Sequence, residues 1–282
     1  MPEQQTHELD ASIREASLHL KDGKIVSPEV LLLLAAGAND VQPLLKDPQH
    51  ISFADVPGAP AAWRGSSLMS GKLGKTRVWL CEDAPENDPN PWGRAWPIWL
   101  ARQCGAGRAL ICLGASPLPH ATPADISEGF FLADDHLMLE GSTPLLALSS
   151  SNLGPLFPDQ AGVHDKLARE ALHERARALG LPCEMGVLAC VPGPALETPA
   201  EQRYHALAGA HASAQNAGSL YHAMAHSGLS GLTIAALLGR CDATVEELVA
   251  SAQRLAPGLI ELIIAATESL AANARLDAEA SL

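Results

Sequence analysis

Residues 191–201 read VPGPALETPAE, and the order of residue types places this stretch at the junction of a strand and a helix. Thr198 with Glu201 three positions later is a capping-box pattern, and Pro199 takes the first helical position, where its missing N–H leaves no bond unmade. The run before it, Glu184 to Val191, is short and apolar, as a buried strand would be. In α/β proteins the segment that leaves a strand and enters a helix is where ligands are placed. Glu197 is therefore the first candidate site residue, a carboxylate positioned to accept a hydrogen bond from the ring N–H of a heterocycle. Its bland alternative is an acid stabilised by a helix N-terminus.

Working outward, short apolar runs alternate with longer helical patterns along the chain. Strands are expected at Glu29 to Ala36, Arg77 to Glu82, Ala109 to Ser116, Gly129 to Leu139, Glu184 to Val191, Ala210 to Gln215 and Leu229 to Leu238. Helices are expected at Gly93 to Gly105, Val163 to Leu179, Pro199 to Ala208, Ser219 to His226 and Thr244 to Ala272. Runs such as ALICLGA at 109–115 are almost continuously apolar, the pattern of strands covered by helices on both faces. The reading is an α/β protein with a central sheet. Residues 1–28 read as a polar, partly helical lead-in, and 29–282 as one domain.

The composition narrows the partners. The chain has 282 residues, 19 Lys plus Arg against 32 Asp plus Glu, and a formal net charge of −13. No basic cluster exists to neutralise nucleic-acid phosphates or an anionic membrane surface, so neither is expected as a partner. The first residues lack the basic start and apolar run of a secretory signal, and the most apolar stretch, Val30 to Ala36, is too short to span a bilayer. A cytoplasmic protein is expected. Cys81, Cys104, Cys112, Cys183, Cys190 and Cys241 form no CxxC pair and read as reduced packing residues.

Other candidate constellations read blandly. His222 and His226 share a helix face four residues apart, but the segment HAMAH lacks the acid of HExxH, so a satisfied, partly exposed histidine pair is expected and no metal. The acidic loop with Glu82, Asp83, Glu86 and Asp88 is interrupted by prolines and has no central Gly of a calcium loop. Leu34 to Asn39 occupies the place of a phosphate-cradling turn but contains one Gly. Neither a GxSxG elbow nor a P-loop is present.

The stretch 191–201 resembles the GPxFET-x-AE signature of the trimeric purine nucleoside phosphorylases and their methylthioadenosine phosphorylase relatives. Leu207 to Ala212 (LAGAHA) and Ala225 to Leu229 (AHSGL) match the segments that follow it in that family. Val56-Pro57-Gly58, Pro91-Trp92, Ala109 to Ala115, Asp135-His136 and Phe157-Pro158 fall upstream in family order and spacing. The resemblance covers roughly residues 29 to 270. It implies a single α/β domain with a large mixed central sheet flanked by helices, assembled as a homotrimer. The chemistry it implies is phosphorolysis, in which phosphate attacks the anomeric carbon of a purine nucleoside while the base leaves. Phosphate is then the co-substrate, and no cofactor is implied.

Carried over residue by residue, the family pattern leaves two base-pocket positions: Glu197 matches the glutamate that grips the purine, and Phe157 the aromatic that a neighbouring subunit lends. The other positions depart. The phosphate-turn serine is Ala36, the loop arginine and histidine fall on Glu82 and Ala84, and the loop tyrosine falls near Glu86. The strand-end asparagine and alanine become Leu113 and Gly114. The methionine and serine that contact ribose and phosphate become Gln215 and Asn216. The purine-binding asparagine falls on Gly239, and the histidine near the ribose 5′ hydroxyl on about Val245.

Glutamate in place of arginine, at roughly 4 Å from a phosphate and an effective dielectric of about 20, turns a favourable interaction of several kcal/mol into repulsion. Phosphate is therefore expected to bind poorly, and the protein to be an inactive or weakly active homologue, or a noncatalytic one that keeps the trimer and a purine-like pocket around Glu197 and Phe157 and serves binding or assembly. Two other readings stay open at this point. One is an active phosphorylase whose anion groups come from Arg64, Lys72 or Arg94. The other is a nucleoside hydrolase in which Glu82 or Glu86 activates water.

Overall fold

The computed structural model describes residues 7–35, 38–82, 90–119, 128–146, 148–239 and 242–280. Strand β1 (Val30–Leu34) shows why the apolar runs are unbroken. Its side chains alternate between two cores, Leu31 and Leu33 on one face and Val30, Leu32 and Leu34 on the other, and all five are buried. The first core packs under α1 (Glu8–Asp22), α2 (Trp96–Gln103) and α5 (Gly218–Ser227). The second lies under α3 (Lys166–Ala178) and α6 (Val245–Ala280).

The remaining strands are β2 (Lys46–Ser52), β3 (Ser67–Leu73), β4 (Thr76–Glu82), β5 (Arg108–Pro117), β6 (Gly129–Met138), β7 (Cys183–Val191), β8 (Ala212–Gln215) and β9 (Ser230–Leu237), and helix α4 is Pro199–Leu207. They form one mixed sheet in the order β2-β3-β4-β1-β5-β8-β7-β6-β9. The sheet also closes on itself. Long β5 pairs in parallel with β9 from Arg108 to Ala115, then antiparallel with β8 at Ser116 and Pro117. That switch gathers the ends of β1, β5, β8 and β9 at one place.

All seven strands expected from apolar runs are present, within one or two residues at each described end. Two further strands, β2 and β3, were not expected. β2 is an edge strand with the sequence KDPQHIS and mostly exposed side chains, so no apolar face advertises it. β3 carries Gly71, where a Cβ would lie 3.1 Å from the Lys46 carbonyl, so packing against the neighbouring strand takes the place of apolar periodicity there.

Residues 1–28 are also more than a lead-in. Glu8–Asp22 is a helix whose Leu9, Ile13, Ala16 and Leu20 lie in the first core. The Ser12 hydroxyl donates to the Gly58 carbonyl at 2.6 Å and accepts from Trp96 Nε1 at 2.8 Å. Gly58 holds φ at +79°, and a Cβ there would come within 2.6 Å of the Ser12 carbonyl, so glycine is required by conformation and by space. Helix α6 is long and apolar enough to cross a bilayer by length and composition. Its Leu259, Leu262, Ile263, Ala266, Leu270 and Ala271 instead pack in the second core.

The described cysteines are free. Cys81, Cys104, Cys112 and Cys190 are buried and Cys183 is partly so, while Cys241 lies outside the described residues. Burial pushes the Cys104 thiol up to about 11, which keeps it protonated and unreactive at neutral pH.

Candidate functional site

A cavity of about 220 Å³ opens where β1, β5 and β8 end, lined by Ala35, Leu113 to Ser116, Leu196, Glu197, Gln202, Ser213 to Gln215, Leu238 and Leu248. This is below the roughly 300–1,000 Å³ of typical small-molecule sites. The capping box is present as expected: Thr198 Oγ1 accepts from the Glu201 N–H, and the Glu201 carboxylate accepts from the Thr198 N–H at 2.7 Å. It starts α4 immediately after Glu197 and so sets that side chain at the cavity wall.

Glu197 is held by two neighbours that the sequence did not point to. His205 Nδ1 lies 2.5 Å from Oε1, and the Ser213 hydroxyl donates to Oε2. The side chains of Glu197 and His205 are each 10% exposed. An ionised carboxylate has about four acceptor directions. One bond per oxygen therefore orients the group and leaves acceptor capacity for a ligand N–H. The spacing of Glu197 and His205 across the first two turns of α4 could have suggested the pairing. Ser213 comes from a distant strand and could not.

The other positions singled out by resemblance divide into three sets. Leu113, Gly114 and Gln215 line the cavity beside Glu197. Asn216, Gly239 and Val245 do not line it, though each lies within three residues of one that does: Asn216 follows β8, Gly239 follows Leu238, and Val245 begins α6 and is exposed. Ala36 and Ala84, with Glu86, lie outside the described residues. Phe157 does not reach this chain's own cavity and is 88% exposed.

Gln215 and Asn216 have structural work. Gln215 Nε2 donates to the Ala195 carbonyl at 2.9 Å, and Asn216 Oδ1 accepts from the Gly193 N–H at 3.0 Å. Asn216 has φ at +56°, a conformation asparagine tolerates better than most residues. Together they tie the 192–197 loop to the end of β8.

Among the described residues that line the cavity there is no Lys, Arg or His, and Glu197 is the charged one. Glu82 is exposed at the end of β4 and accepts from Gln42 Nε2 at 3.1 Å. Arg64 donates to the Ala59 carbonyl and Arg94 to the Asn216 carbonyl, while Lys72 is exposed on β3. None of these three cations lines the cavity.

Both histidines of the pair are satisfied, as expected, each by its own partner. His226 is buried and its Nδ1 accepts from Trp99 Nε1 at 3.0 Å, and His222 Nδ1 faces Thr143 Oγ1 at 2.9 Å. A second histidine pair forms elsewhere. His136 Nδ1 and His164 Nε2 are 3.0 Å apart, with Asp135 beside them and the Tyr221 ring packed against both imidazoles. Asp135 and His136 are adjacent, but His164 and Tyr221 come from distant parts of the chain, so no local spacing signals the cluster.

Burial pushes the His164 imidazole down to about 4, with repulsion from His136 adding to it. The unfolded chain takes up that proton near pH 6.5. Between those values the unfolded state binds more protons, so stability falls as pH falls, by up to about 1.4 kcal/mol per pH unit. Acidification from about pH 6.5 to 4.5 is thus expected to cost on the order of 2 kcal/mol through this group, and His164→Gln to flatten that part of the curve. Urea midpoints measured across the range in the presence of a chelator check it. Parallel curves for the two proteins would refute it.

Residues 124–268 match the model of the phosphorylase superfamily. Purine nucleoside phosphorylase 1 of Geobacillus stearothermophilus is 23% identical over 274 residues, covering 93% of this chain and 98% of the relative. Purine nucleoside phosphorylase 1 of Bacillus subtilis is 24% identical over 205 residues, covering 68% and 72%. Among solved structures, isoform 2 of the Schistosoma mansoni purine nucleoside phosphorylase, in complex with cytosine and ribose-1-phosphate, superposes with a TM-score of 0.84 at 17% identity. That match covers 94% of this chain and 98% of the other. A schistosoma purine nucleoside phosphorylase in complex with hypoxanthine superposes at 0.83 and 17% identity, covering 94% and 99%.

Proposed function

We propose that this chain, which belongs to the phosphorylase superfamily as a purine nucleoside phosphorylase-type member, is a purine-binding protein in which phosphate-driven cleavage of nucleosides is weak or lost. The observation that carries the proposal is the charge of the cavity: Glu197 lines it, and no described cation does. Phosphorolysis needs an anionic nucleophile held in line with the anomeric carbon, and fixed donors or cations supply most of that positioning. A carboxylate without them favours a neutral heterocycle with an N–H to donate.

The residues at the ribose and phosphate positions support the same reading. Leu113 and Gly114 offer no side-chain donor, and Gln215 and Asn216 direct theirs or their acceptors to the loop at 193–195. Glu197, oriented by His205 and Ser213, grips the base. The protein works as a homotrimer in the cytoplasm, and Phe157, projecting from the surface, is presented to the ligand of a neighbouring copy.

The test incubates the protein with inosine, guanosine or methylthioadenosine, with and without phosphate, and measures free base. Little or no release is expected under either condition. In parallel, free purines are expected to raise the melting temperature, since a ligand at 100 times its dissociation constant contributes about 2.7 kcal/mol. Phosphate-dependent release at an enzymatic rate would overturn the proposal in favour of an active phosphorylase. Phosphate-independent release would overturn it in favour of a hydrolase. No thermal response to any purine would remove the binding role.

A further inference from the structure

We propose that Asp135, His136 and His164 form a binding site for one divalent transition-metal ion of the zinc type, separate from the cavity at Glu197. One ligand atom from each of the three residues lies within 4.8 Å of the other two. The facing nitrogens, His136 Nδ1 and His164 Nε2, are 3.0 Å apart. With metal–nitrogen bonds of about 2.0–2.1 Å, a tetrahedral ion needs its ligands about 3.3 Å from one another, so the facing nitrogens must part by a few tenths of an ångström and the rings must tilt until both lone pairs meet at the ion. None of the three residues lines the cavity.

The backbone presents these side chains rigidly. The β6–β7 register shifts between Ala133 and Asp135, an irregularity of the kind that re-aims the side chains following it. His164 is bracketed by two backbone bonds to one residue of β9: Gly231 N–H donates to the Val163 carbonyl at 2.8 Å, and Asp165 N–H donates to the Gly231 carbonyl at 2.7 Å. Tyr221, fully buried, supports both rings from behind at centroid distances of 4.7 and 5.0 Å. The Asp135 carboxylate is exposed and its Oδ1 accepts from the His136 N–H, so it can turn toward the ion by giving up that one bond.

The donor set has the chemistry of a borderline metal. Two imidazoles and a carboxylate suit zinc and its neighbours, whereas calcium and magnesium prefer oxygen alone. In the metal-free chain one facing nitrogen must donate to the other. Metal binding needs both of them bare, which requires only the donating imidazole to move its proton to its outer nitrogen, since the accepting ring already carries its proton there. Three protein ligands leave a fourth position for water or another small ligand.

The experiment uses the full chain after dialysis against a chelator, titrated with zinc by calorimetry and with cobalt by visible absorption. One zinc per chain is expected, together with cobalt d–d bands and no thiolate charge-transfer band. Asp135→Asn and His164→Gln are each expected to weaken binding by at least about tenfold, and His50→Ala, an exposed histidine on β2, to leave it unchanged. No saturable zinc binding would overturn the site. So would a thiolate band, or equal affinity in the wild type and both variants. Circular dichroism in chelator checks folding, and if His164→Gln fails to fold, Asp135→Asn at its exposed position decides.

Discussion

Trp96→Ala is expected to destabilise the protein by about 4 kcal/mol, within the range of roughly 3–5 kcal/mol for removing a buried Phe or Trp side chain. Trp96 has no exposed surface. Its ring meets Phe53 edge-on at 5.5 Å, and its Nε1 donates to Ser12 Oγ at 2.8 Å. The aromatic pair alone contributes about 0.5–1.5 kcal/mol beyond area burial. Ser12 would keep its bond to Gly58 but lose its donor. A typical domain has about 5–15 kcal/mol in total, so the variant should be marginal at 37 °C.

Urea unfolding followed by circular dichroism measures this. Trp96→Phe, which keeps a ring and loses the N–H, should show a loss of less than half. Equal losses for Phe and Ala would mean that the ring volume is not what matters. The consequence extends to α1, because Trp96 is its bridge to α2. In Trp96→Ala, cleavage in residues 8–22 should become faster under limited proteolysis.

The second large effect is at Glu197. In Glu197→Ala, the buried His205 and Ser213 lose their common acceptor. A buried polar group left unsatisfied costs about 1–3 kcal/mol, so a total loss of roughly 3 kcal/mol is expected. Glu197→Gln keeps the volume and one acceptor oxygen, and the Ser213 hydroxyl can rotate to accept from the new amide. Its cost should be near 1 kcal/mol.

Ligand response separates the structural role from the binding role. Purine-dependent stabilisation should vanish in Glu197→Ala and fall at least tenfold in apparent affinity in Glu197→Gln, because a ligand N–H would then face an amide in place of a carboxylate. A purine response that survives in both variants would show that the carboxylate holds the loop and not the base.

What could be read in the sequence follows from how far each feature's cause extends along the chain. The capping box at Thr198 and Glu201 is complete within four residues, and the structure contains it as written. The apolar runs of β1 and β5 reveal two-sided burial for the same reason, since every residue reports its own environment. The edge strand β2 reports solvent on most of its side chains and so looks like a loop. α1 has a clear apolar stripe, but its polar composition hid that the stripe faces the main core.

The candidate site was visible in part. Glu197 was found because its context is local, a position just before a helix. Its partners His205 and Ser213 were not, since the latter comes from β8 and meets Glu197 only when the sheet curls. His222 and His226 are satisfied as their spacing and the missing acid suggested, but the partners that satisfy them, Thr143 and Trp99, lie far off in the chain and could not be named from it.

The sequence by itself determined the α/β class, the position of nearly every buried strand, the start of α4 and the carboxylate before it. Those depend on hydrophobic period and capping chemistry, which act over a few residues. Only the tertiary structure decided that β5 pairs first with β9 and then with β8, which gathers the strand ends into a cavity lined by one acid and no described cation. It alone brought His136 within 3.0 Å of His164. Contacts of that kind are set by how strands order in a sheet, and the free energy that selects the order comes from burial shared across the whole core, which no short stretch of residues records.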